Sequence, residues 1–421
     1  MTPSRRILIT GLASAHGGRL AQLLERHAQL ETLIGIDTDD PRHELQRTEF
    51  VRVGADGTLL RRIIRAARID TIVDTRLSAD PPSPSARRAH ELNVAGTRSV
   101  LAAAGGRDSS VRKVVFKSSA VYYGAERDDP AFFTEEMPRS HSPRGPIEQT
   151  VVQAEEALAA FAAENPHTTV TVLRAASEVG GESRTAHTAL LGLPVVPTIL
   201  GFDPRWQFVH EDDVIGALAH AALHQLPGAY NVAGDGVLAL SEVVSLLGKP
   251  LMPVLPPWGT VFAGAQLRRV GLRVPVELLR ELRHGRGLDN RRLKSAGYAL
   301  RYTSREAVLK LRAQQRLRPL LGRGDDRYRY EREVEEFLRW SPSVQQRRAP
   351  GIASDAVSGD GVPNAGAFEA LTEAELLEII PSLESGALQR LRDHELSGAA
   401  RRPVLDEIEH QLALRSSLTD R

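Results

Sequence analysis

The residues with the clearest chemistry lie at 8–20, LITGLASAHGGRL, where two glycines and a serine are spaced as in a phosphate-binding loop. Such a loop turns a strand sharply into a helix, so that backbone N–H groups at the helix N-terminus point at a pyrophosphate. Gly11 suits the tight turn, and Gly17 lets the helix pack closely on the strand. Ser14 stands where a glycine would let the backbone approach the phosphates. Its side chain either crowds the pyrophosphate or donates a hydrogen bond to it.

Two acidic residues further along the chain strengthen the prediction of a dinucleotide site. Asp37 ends the second predicted strand, about twenty residues after the loop, where a carboxylate hydrogen-bonds an adenosine ribose. A carboxylate at this position repels a 2′-phosphate, and NAD is therefore favoured over NADP. Asp56 follows the third strand and is placed to meet the adenine. Each aspartate alone is typical of a turn or a helix cap, but the ordered set favours a cofactor site.

The elements that must position these residues alternate along the first part of the chain. Short apolar runs predict strands, and longer periodic runs predict helices. The strands are 6–11, 32–37, 50–53, 71–75, 113–119 and 169–174, and the helices are 18–28, 57–68, 86–104 and 147–164. Strands that are apolar on both faces and alternate with helices are typical of a parallel sheet covered on both sides. We therefore predict an α/β fold with a Rossmann-type, doubly wound parallel sheet.

The later part of the chain divides into three further regions. After a Rossmann domain at 1–176, which later elements complete, we expect a small C-terminal substrate region at 177–338, with helices at 211–224, 239–247, 275–284 and 303–317. A linker rich in Pro, Gly and Ser follows at 339–366, and its lack of large apolar residues predicts disorder. The tail at 367–421 regains helical periodicity, with a capping-box pattern at Thr372 and Glu375. This helical tail is either a docking or oligomerising module or an extension that folds back on the main body.

Composition excludes several classes of function. Hydrophobic residues make up 42% and charged residues 25% of the 421 positions, and the net charge is +1, so no global field favours nucleic acid. The absence of cysteine excludes disulfides and thiolate metal sites. No group of His, Asp and Glu has metal-ligand spacing. We find no signal peptide and no apolar run of about 18 residues, and we therefore expect a cytoplasmic protein without a membrane span.

Six ordered motifs resemble the extended short-chain dehydrogenase/reductase family, of the NAD-dependent epimerase/dehydratase type. They are TGLASAHG (10–17), NVAGT (93–97), SSAVYYG (118–124), LRAASEVGG (173–181), WQFVHEDDV (206–214) and YNVAGDG (230–236). The resemblance covers residues 1–320 and implies an NAD cofactor. Asn93 matches the asparagine that supports the sheet centre near the cofactor. The resemblance further implies a nucleotide sugar or a similar hydroxyl substrate, and a homodimer formed through the helices at 86–104 and 147–164.

The resemblance also implies catalytic residues, and here the chain departs from the family. Ser119 matches the serine that holds the substrate oxygen. A Tyr-x-x-x-Lys pair should open the next helix, where the tyrosine acts as general acid and base and the lysine lowers its pKa. Aligned on Glu155, the tyrosine position is Ile147 and the lysine position is Val151. Neither side chain can transfer a proton.

Several other side chains could substitute for the missing pair near the nicotinamide. They are Tyr122, Tyr123, Lys117, His141, Glu148 and His210. Tyr123 falls on the tyrosine of the family's Val-Tyr-Gly motif and is the first candidate. For His210 we prefer a structural hydrogen bond at a helix start, with Asp212 and Asp213 as first-turn acids.

Two functions follow from this sequence. One is redox chemistry on a nucleotide sugar or related hydroxyl, with Ser119 as oxygen-binding donor and an unidentified acid and base. The other is a non-catalytic NAD(H)-binding sensor or scaffold, whose helical tail contacts a protein partner. The apolar pair Ile147 and Val151 favours the second function, whereas the family resemblance alone favours the first.

Overall fold

The computed structural model describes residues 4–53, 57–81, 85–106, 109–254, 275–317, 385–397 and 401–419. Asp56, the linker at 339–366 and the capping-box pair Thr372 and Glu375 lie outside the described residues, and the predictions made for them stay predictions. The chain divides into two units, residues 1–328 and 329–421.

Strands and helices alternate through the first unit. The strands are β1 (Arg6–Thr10), β2 (Thr32–Asp37), β3 (Glu49–Arg52), β4 (Thr71–Asp74), β5 (Lys113–Ser119), β6 (Phe132–Phe133), β7 (Thr169–Ala175), β8 (Ser177–Val179), β9 (Val196–Ile199), β10 (Arg205–Trp206), β11 (Phe208–His210), β12 (Gly228–Val232), β13 (Leu238–Ala239), β14 (Leu251–Val254) and β15 (Gly287–Leu288). The helices are α1 (Ala15–Leu24), α2 (Gly57–Ala66), α3 (Ala86–Ala89), α4 (Thr97–Ala104), α5 (Pro146–Glu164), α6 (Ala186–Leu191), α7 (Glu211–Leu223), α8 (Leu240–Leu247), α9 (Val276–His284), α10 (Arg291–Ser295) and α11 (Ser304–Leu317).

The main sheet has seven strands in the order β12-β7-β5-β4-β1-β2-β3, and every neighbouring pair is parallel. This confirms the doubly wound parallel sheet, and the six predicted strands all lie in it. The seventh strand, β12, coincides with the motif YNVAGDG, which the sequence analysis did not assign to a strand. Strand order reverses between β1 and β4, and in such sheets ligands bind in the crevice at the carboxyl ends of the strands at this point.

Both faces of the sheet are buried, because apolar side chains alternate between them along each strand. In β1, Ile7 and Ile9 belong to the core under α1 and α7, whereas Leu8 belongs to the core under α2, α4 and α5. The two layers of helices therefore cover opposite sides of one sheet. The carboxyl ends of the strands are left for the loops that carry the site.

The predicted helix at 86–104 contains a π-helical segment. α3 and α4 flank His90–Gly96, in which the hydrogen bonds widen to the π pattern. Such segments occur often at functional sites, since they place one extra residue on a helix face. Asn93 lies in this segment and is fully buried.

The region after β7 has a core of its own. Trp206, Phe208, Val243 and Leu282 are among its buried members, and α6, α8, α9 and α11 surround them. The Trp206 indole donates to the carbonyl of Glu281 at 3.1 Å, which fixes α9 against β10. The four helices predicted between 211 and 317 are all present within about two residues of their predicted bounds.

The second unit is described at two helices, α12 (Ser385–Ser397) and α13 (Arg402–Thr419). They pack on each other through Leu388, Leu391, Val404 and Ile408, all of which are fully buried. Glu395, near the end of α12, pairs with Arg401, which directly precedes α13. The prediction of helices in the tail is confirmed for this part. Across all the described residues of the chain, no helix has the length and apolar character needed to cross a membrane.

Candidate cofactor site

The glycine-rich loop connects β1 to α1 as predicted. Gly11 has φ of +84°, which glycine adopts without strain. A Cβ atom on Gly17 would overlap the carbonyl group of Gly11, so only glycine allows α1 to pack this closely on the loop. Among the described residues, the N–H groups of Ala15 and His16 have no hydrogen-bond acceptor. The first turn of α1 thus presents two backbone donors at the carboxyl edge of the sheet.

Ser14 is the N-cap of α1. Its hydroxyl accepts a hydrogen bond from the Gly17 N–H at 3.0 Å and donates one to the Gly11 carbonyl at 2.6 Å. Both roles considered from the sequence involve a bound pyrophosphate and stay predictions. The hydroxyl proton is used inside the loop, and the side chain occupies one helix N–H that a glycine at this position would leave for a phosphate.

Asp37 lies at the carboxyl end of β2, beside the loop. One carboxylate oxygen accepts from the Ala13 N–H at 2.8 Å, and the other accepts from the Thr38 N–H at 2.7 Å. The carboxylate therefore ties β2 to the loop and is only partly buried. The sequence analysis predicts that a carboxylate at this position hydrogen-bonds an adenosine ribose.

Asn93 links three elements below the crevice. Its side-chain oxygen accepts from the Ser78 N–H at 2.8 Å, and its nitrogen donates to the Ser78 carbonyl at 3.0 Å and to the Thr150 hydroxyl at 2.9 Å. Asn93 thus fixes the loop after β4 to α5. This is a supporting role, as the resemblance implied.

An ion pair that the sequence analysis did not anticipate lies at the end of β4. The Arg76 Nε and Nη2 atoms donate to the two Asp74 oxygens at 2.9 and 2.7 Å. Burial opposes ionisation of Asp74, but Arg76 outweighs burial and holds the carboxyl pKa below its usual range. The Arg76 side chain runs alongside Gly11, where an added Cβ would come within 2.8 Å of its Cγ. The alkyl part of Arg76 therefore packs against the glycine-rich loop, and its guanidinium group is held by Asp74.

A second charged cluster lies in contact with the first turn of α1. Glu178 on β8 is hydrogen-bonded by His16 Nε2 at 2.5 Å, and Lys117 Nζ lies 3.9 Å from its other oxygen. Burial raises the pKa of Glu178, but His16 and Lys117 outweigh it and the net shift is downward, so this carboxylate is ionised. Ser119 lies two residues beyond Lys117 on β5 and shares its face of the sheet. The loop, β5 and β8 thus meet at one charged group.

The model of the NAD-dependent epimerase/dehydratase family matches residues 7–233, more than half of the chain. The chain belongs to this family. The match spans the glycine-rich loop, the whole seven-stranded sheet and the Ser119 motif. It confirms the resemblance found from the sequence, and the family description agrees with NAD as the cofactor.

Similar proteins fall into two groups. An uncharacterized protein of Mycobacterium tuberculosis H37Rv is 34% identical over 315 residues, covering 72% of this chain and 81% of its own length. The dTDP-glucose 4,6-dehydratase of Bacillus anthracis, solved with NAD, has a TM-score of 0.54 at 18% identity, covering 74% of this chain and 97% of that one. The UDP-glucose 4-epimerase of Thermotoga maritima, solved with UDP-glucose, has a TM-score of 0.57 at 18% identity, covering 74% and 98%. At this identity the structural matches establish a shared fold.

The two positions that the sequence analysis aligned with the family's catalytic pair are part of the hydrophobic core. Ile147 is 1% exposed and Val151 is fully buried, both on α5. Glu155, one turn further, pairs with Arg174 at 2.7 Å and accepts from the Ser118 hydroxyl at 2.5 Å. This face of α5 therefore supplies packing and an internal ion pair, and neither of the two positions carries a group that can exchange a proton.

Tyr123, the first candidate for a substitute, is also enclosed. Its phenol donates to the Asn231 side chain at 2.8 Å and accepts from Arg174 at 2.8 Å, and its ring stacks on Phe133. Burial raises its pKa to about 12. A phenol that is 1% exposed and doubly hydrogen-bonded inside the core cannot reach a substrate. Its geometry argues against the catalytic role expected from the sequence.

The remaining candidates are engaged elsewhere. The Glu148 carboxylate caps α5 and pairs with Arg139 and Arg280. His141 pairs with Asp128 on the surface. Tyr122 lies under the Arg174 guanidinium, 3.7 Å from its ring centre. Of the six substitutes, Lys117 is the one that faces the charged cluster around Glu178.

His210 has the structural role that we preferred for it. It is the N-cap of α7, and its Nδ1 atom accepts from the Asp212 N–H at 3.2 Å. Asp212 and Asp213 lie in the first turn, as predicted. The ring is fully buried against Tyr302, which keeps it away from the crevice.

A buried ion network below the crevice was also missed from the sequence. His187 on α6 is hydrogen-bonded at Nδ1 by Asp80 at 2.5 Å, and its Nε2 lies 3.3 Å from Glu281 and from the Ser177 hydroxyl. The serine, histidine and aspartate resemble a hydrolase triad in outline. Burial alone would lower the pKa of His187, but its two carboxylate partners raise it to about 10, so the ring stays protonated and cannot act as a base at neutral pH. His187 and Asp80 are 107 positions apart in the sequence, and Ser177 and Glu281 are 104 positions apart. Local spacing in the sequence therefore does not reveal this network.

Proposed function

We propose that this chain binds NAD(H) as a ligand and does not carry out the acid–base chemistry of its family. The observation that carries the proposal is the burial of Ile147 and Val151 in the core, where the family's tyrosine and lysine would stand. Loss of a general acid–base group lowers a rate by about 10²- to 10⁴-fold. The described part of the crevice offers no tyrosine that could replace it.

The adenosine and pyrophosphate half of a dinucleotide fits the residues present. The N–H groups of Ala15 and His16 would hold the pyrophosphate, with the positive end of the α1 dipole behind them. Asp37 would accept hydrogen bonds from the adenosine ribose. Arg76, whose side chain runs alongside Gly11, adds positive charge beside the phosphates. Bound NAD supplies hydride transfer in this family, and here the chain's own residues would serve to bind and orient it.

Titration calorimetry with NAD and NADH on the full-length protein tests the proposal. We expect saturable binding of both forms, abolished by Asp37→Arg, which places a cation at the ribose. Asp40→Arg is the matched control, since it makes the same change of charge at an exposed residue three positions away. Asp37→Asn keeps the acceptor for the Ala13 N–H and separates loss of ribose contact from loss of the loop. Failure of the unchanged protein to bind either form would overturn the proposal.

A turnover assay with NAD and a nucleotide sugar such as UDP-glucose separates binding from catalysis. We expect no NADH formation and no epimerised or dehydrated sugar, for the unchanged protein and for Ser119→Ala alike. The same variant should leave NAD affinity unchanged. Turnover that Ser119→Ala abolishes would contradict the non-catalytic proposal.

One observation favours redox chemistry on a nucleotide sugar as a second candidate. Lys117 and His16 lie on either side of the ionised Glu178, on the same side of the sheet as Ser119. A histidine oriented by a carboxylate is a common proton-transfer group. Under this candidate, His16→Gln would abolish turnover while NAD binding persisted.

In the non-catalytic proposal, a protein partner recognises the helical tail. Helices α12 and α13 share a small core, and Leu396 near the end of α12 is 63% exposed. Deletion of residues 367–421 should leave the NAD titration unchanged and should remove the partner from a pull-down with the full-length protein. A homodimer formed through α4 and α5 would survive that deletion, and sedimentation would show it.

A further inference from the structure

A pocket of about 940 Å³ opens within the first unit, away from the glycine-rich loop. The loop that follows β8, helix α6, the residue after α8 and the last turns of α11 surround it. Its described lining, which we call the basic pocket, consists of Gly180, Ser183, Arg184, Thr185, Thr188, Ala189, Gly192, Pro194, Leu247, Lys249, Leu311, Arg312, Gln314, Gln315 and Arg316. None of the residues assigned above to the cofactor is among them.

The charge of the basic pocket is of one sign. Arg184, Lys249, Arg312 and Arg316 line it, and the described lining contains no aspartate or glutamate. Within the described part of the chain, these four cations make no ion pair. Lys249 and Arg312 are half-buried, whereas Arg184 and Arg316 are exposed at the edge of the pocket. An accumulation of unpaired positive charge in a concave site attracts an anion.

Polar atoms in the wall also lack partners. The Nε atom of Arg312 and the side-chain oxygens of Gln314 and Gln315 are buried and have no hydrogen bond. Gln315 is held in place, because its nitrogen donates to the Leu191 carbonyl at 3.2 Å, and Lys249 Nζ donates to the same carbonyl at 2.5 Å. Buried polar atoms in native proteins are nearly all hydrogen-bonded, and an unpartnered N–H beside a cavity indicates a missing acceptor.

We propose that the basic pocket binds a phosphate-bearing small molecule. Arginine presents a planar fork of N–H donors that matches phosphate oxygens, and lysine adds a point charge. The volume exceeds that of a single phosphate and lies in the range of small-molecule sites. Leu247, Leu311 and Pro194 give part of the wall an apolar surface for the rest of the ligand.

Calorimetry with inorganic pyrophosphate as the probe tests this proposal on the full-length protein. The titration is run in the presence of saturating NAD, so that the glycine-rich loop does not contribute. We expect binding that weakens at least about tenfold in Arg312→Gln and in Arg184→Gln and falls with added salt. Arg184 is exposed at the rim, so its variant remains informative if Arg312→Gln fails to fold.

Arg305→Gln is the matched control, since Arg305 lies on the same helix, outside the pocket, and pairs with Glu242. It should bind pyrophosphate as the unchanged protein does. Equal weakening by Arg305→Gln, or absence of pyrophosphate binding, would overturn the proposal. Binding to vesicles that contain an anionic lipid, without binding of pyrophosphate, would overturn it in favour of a membrane headgroup. The variants should leave NAD affinity unchanged, so failure of the cofactor proposal would be seen separately.

Discussion

The hydroxyl of Ser14 is the smallest departure from a glycine-rich loop, and it changes which backbone donors a phosphate can reach. Since the hydroxyl caps the Gly17 N–H, the first turn of α1 keeps two unpartnered donors where a glycine would leave three. The serine hydroxyl therefore stabilises the loop when no ligand is bound, and we expect it to lower the affinity of the loop for an anion. Ser14 thus increases stability at the expense of ligand affinity.

Replacing Ser14 by glycine should therefore raise NAD affinity, by about tenfold for one recovered hydrogen bond to a phosphate. The free energy of unfolding should fall by only a few tenths of a kcal/mol, because glycine is a tolerated N-cap. Ser14→Ala should cost about 1 kcal/mol, since alanine is a poor cap. Calorimetry and urea denaturation measure the two effects. Weaker NAD binding in Ser14→Gly would mean that the hydroxyl itself contacts the phosphate.

Local motifs predicted where the residues proposed to bind the cofactor lie in the fold. Gly11 lies in the turn after β1, Gly17 in the first turns of α1, and Asp37 at the end of β2, because these positions depend on neighbouring residues in the sequence. The contacts of Tyr123 depend instead on partners that fold in from far away, such as Asn231, 108 positions on. Burial by distant segments leaves no local pattern, and for that reason the enclosure of Tyr123 could not be predicted.

At the scale of elements, the packing of α1 on the β1 loop decides whether the site exists. Gly17 faces the Gly11 carbonyl, whereas the next residue, Gly18, faces the His43 ring. A methyl group at Gly17 would meet backbone of the loop, whereas a methyl group at Gly18 would meet the His43 side chain, which is hydrogen-bonded to Glu182. The two adjacent glycines of α1 should therefore differ in how well they tolerate an added methyl group.

Gly17→Ala should destabilise the protein by about 1–3 kcal/mol or more, as expected for overpacking against rigid backbone, and should abolish NAD binding. Gly18→Ala should cost less, because alanine favours a helix by about 1 kcal/mol over glycine and offsets the displacement of His43. Chemical denaturation of both variants gives the comparison. Similar losses of stability in the two would show that the loop moves aside.

Element positions followed from periodicity wherever a segment packs on the sheet. All six predicted strands and the helices between them are present, since strands covered on both faces must be apolar along their length. The sequence analysis predicted one continuous helix at 86–104, and the π-helical segment at His90–Gly96 was missed. β12 was missed as a strand, since its polar Asn231 interrupts a short run that was interpreted only as a motif.

At the scale of the whole molecule, the His187 network joins the sheet to the region built on Trp206. Asp80 follows β4, His187 belongs to α6, and Glu281 belongs to α9. The His187 ring attracts both carboxylates only while it carries its second proton. We therefore expect the contact between the sheet and the region built on Trp206 to depend on pH.

The His187 pKa is raised from 6.5 to about 10, so between these values the folded protein holds a proton that the unfolded chain has released. Stability from this group is complete below about pH 6.5 and is lost as the pH rises towards 10, with a slope of up to about 1.4 kcal/mol per pH unit. Lys113, with its pKa lowered to about 8, acts in the opposite direction from pH 8 upwards. The difference in unfolding free energy between the unchanged protein and His187→Gln isolates the histidine. A difference that stays constant from pH 6.5 to 10 would show that His187 is neutral.

The apolar pair on α5 also bears on the history of this family member. Active sites are commonly less stable than their surroundings, since they hold polar groups in places where packing would favour hydrocarbon. With Ile147 and Val151 in a closed core, that local cost is absent, and a tyrosine and a lysine at these positions would have to bury an ammonium group. We therefore expect an exchange of a polar pair for this apolar pair to cost less stability than the opposite exchange. Under the non-catalytic proposal, this asymmetry would act as an evolutionary ratchet that makes the chemistry difficult to regain.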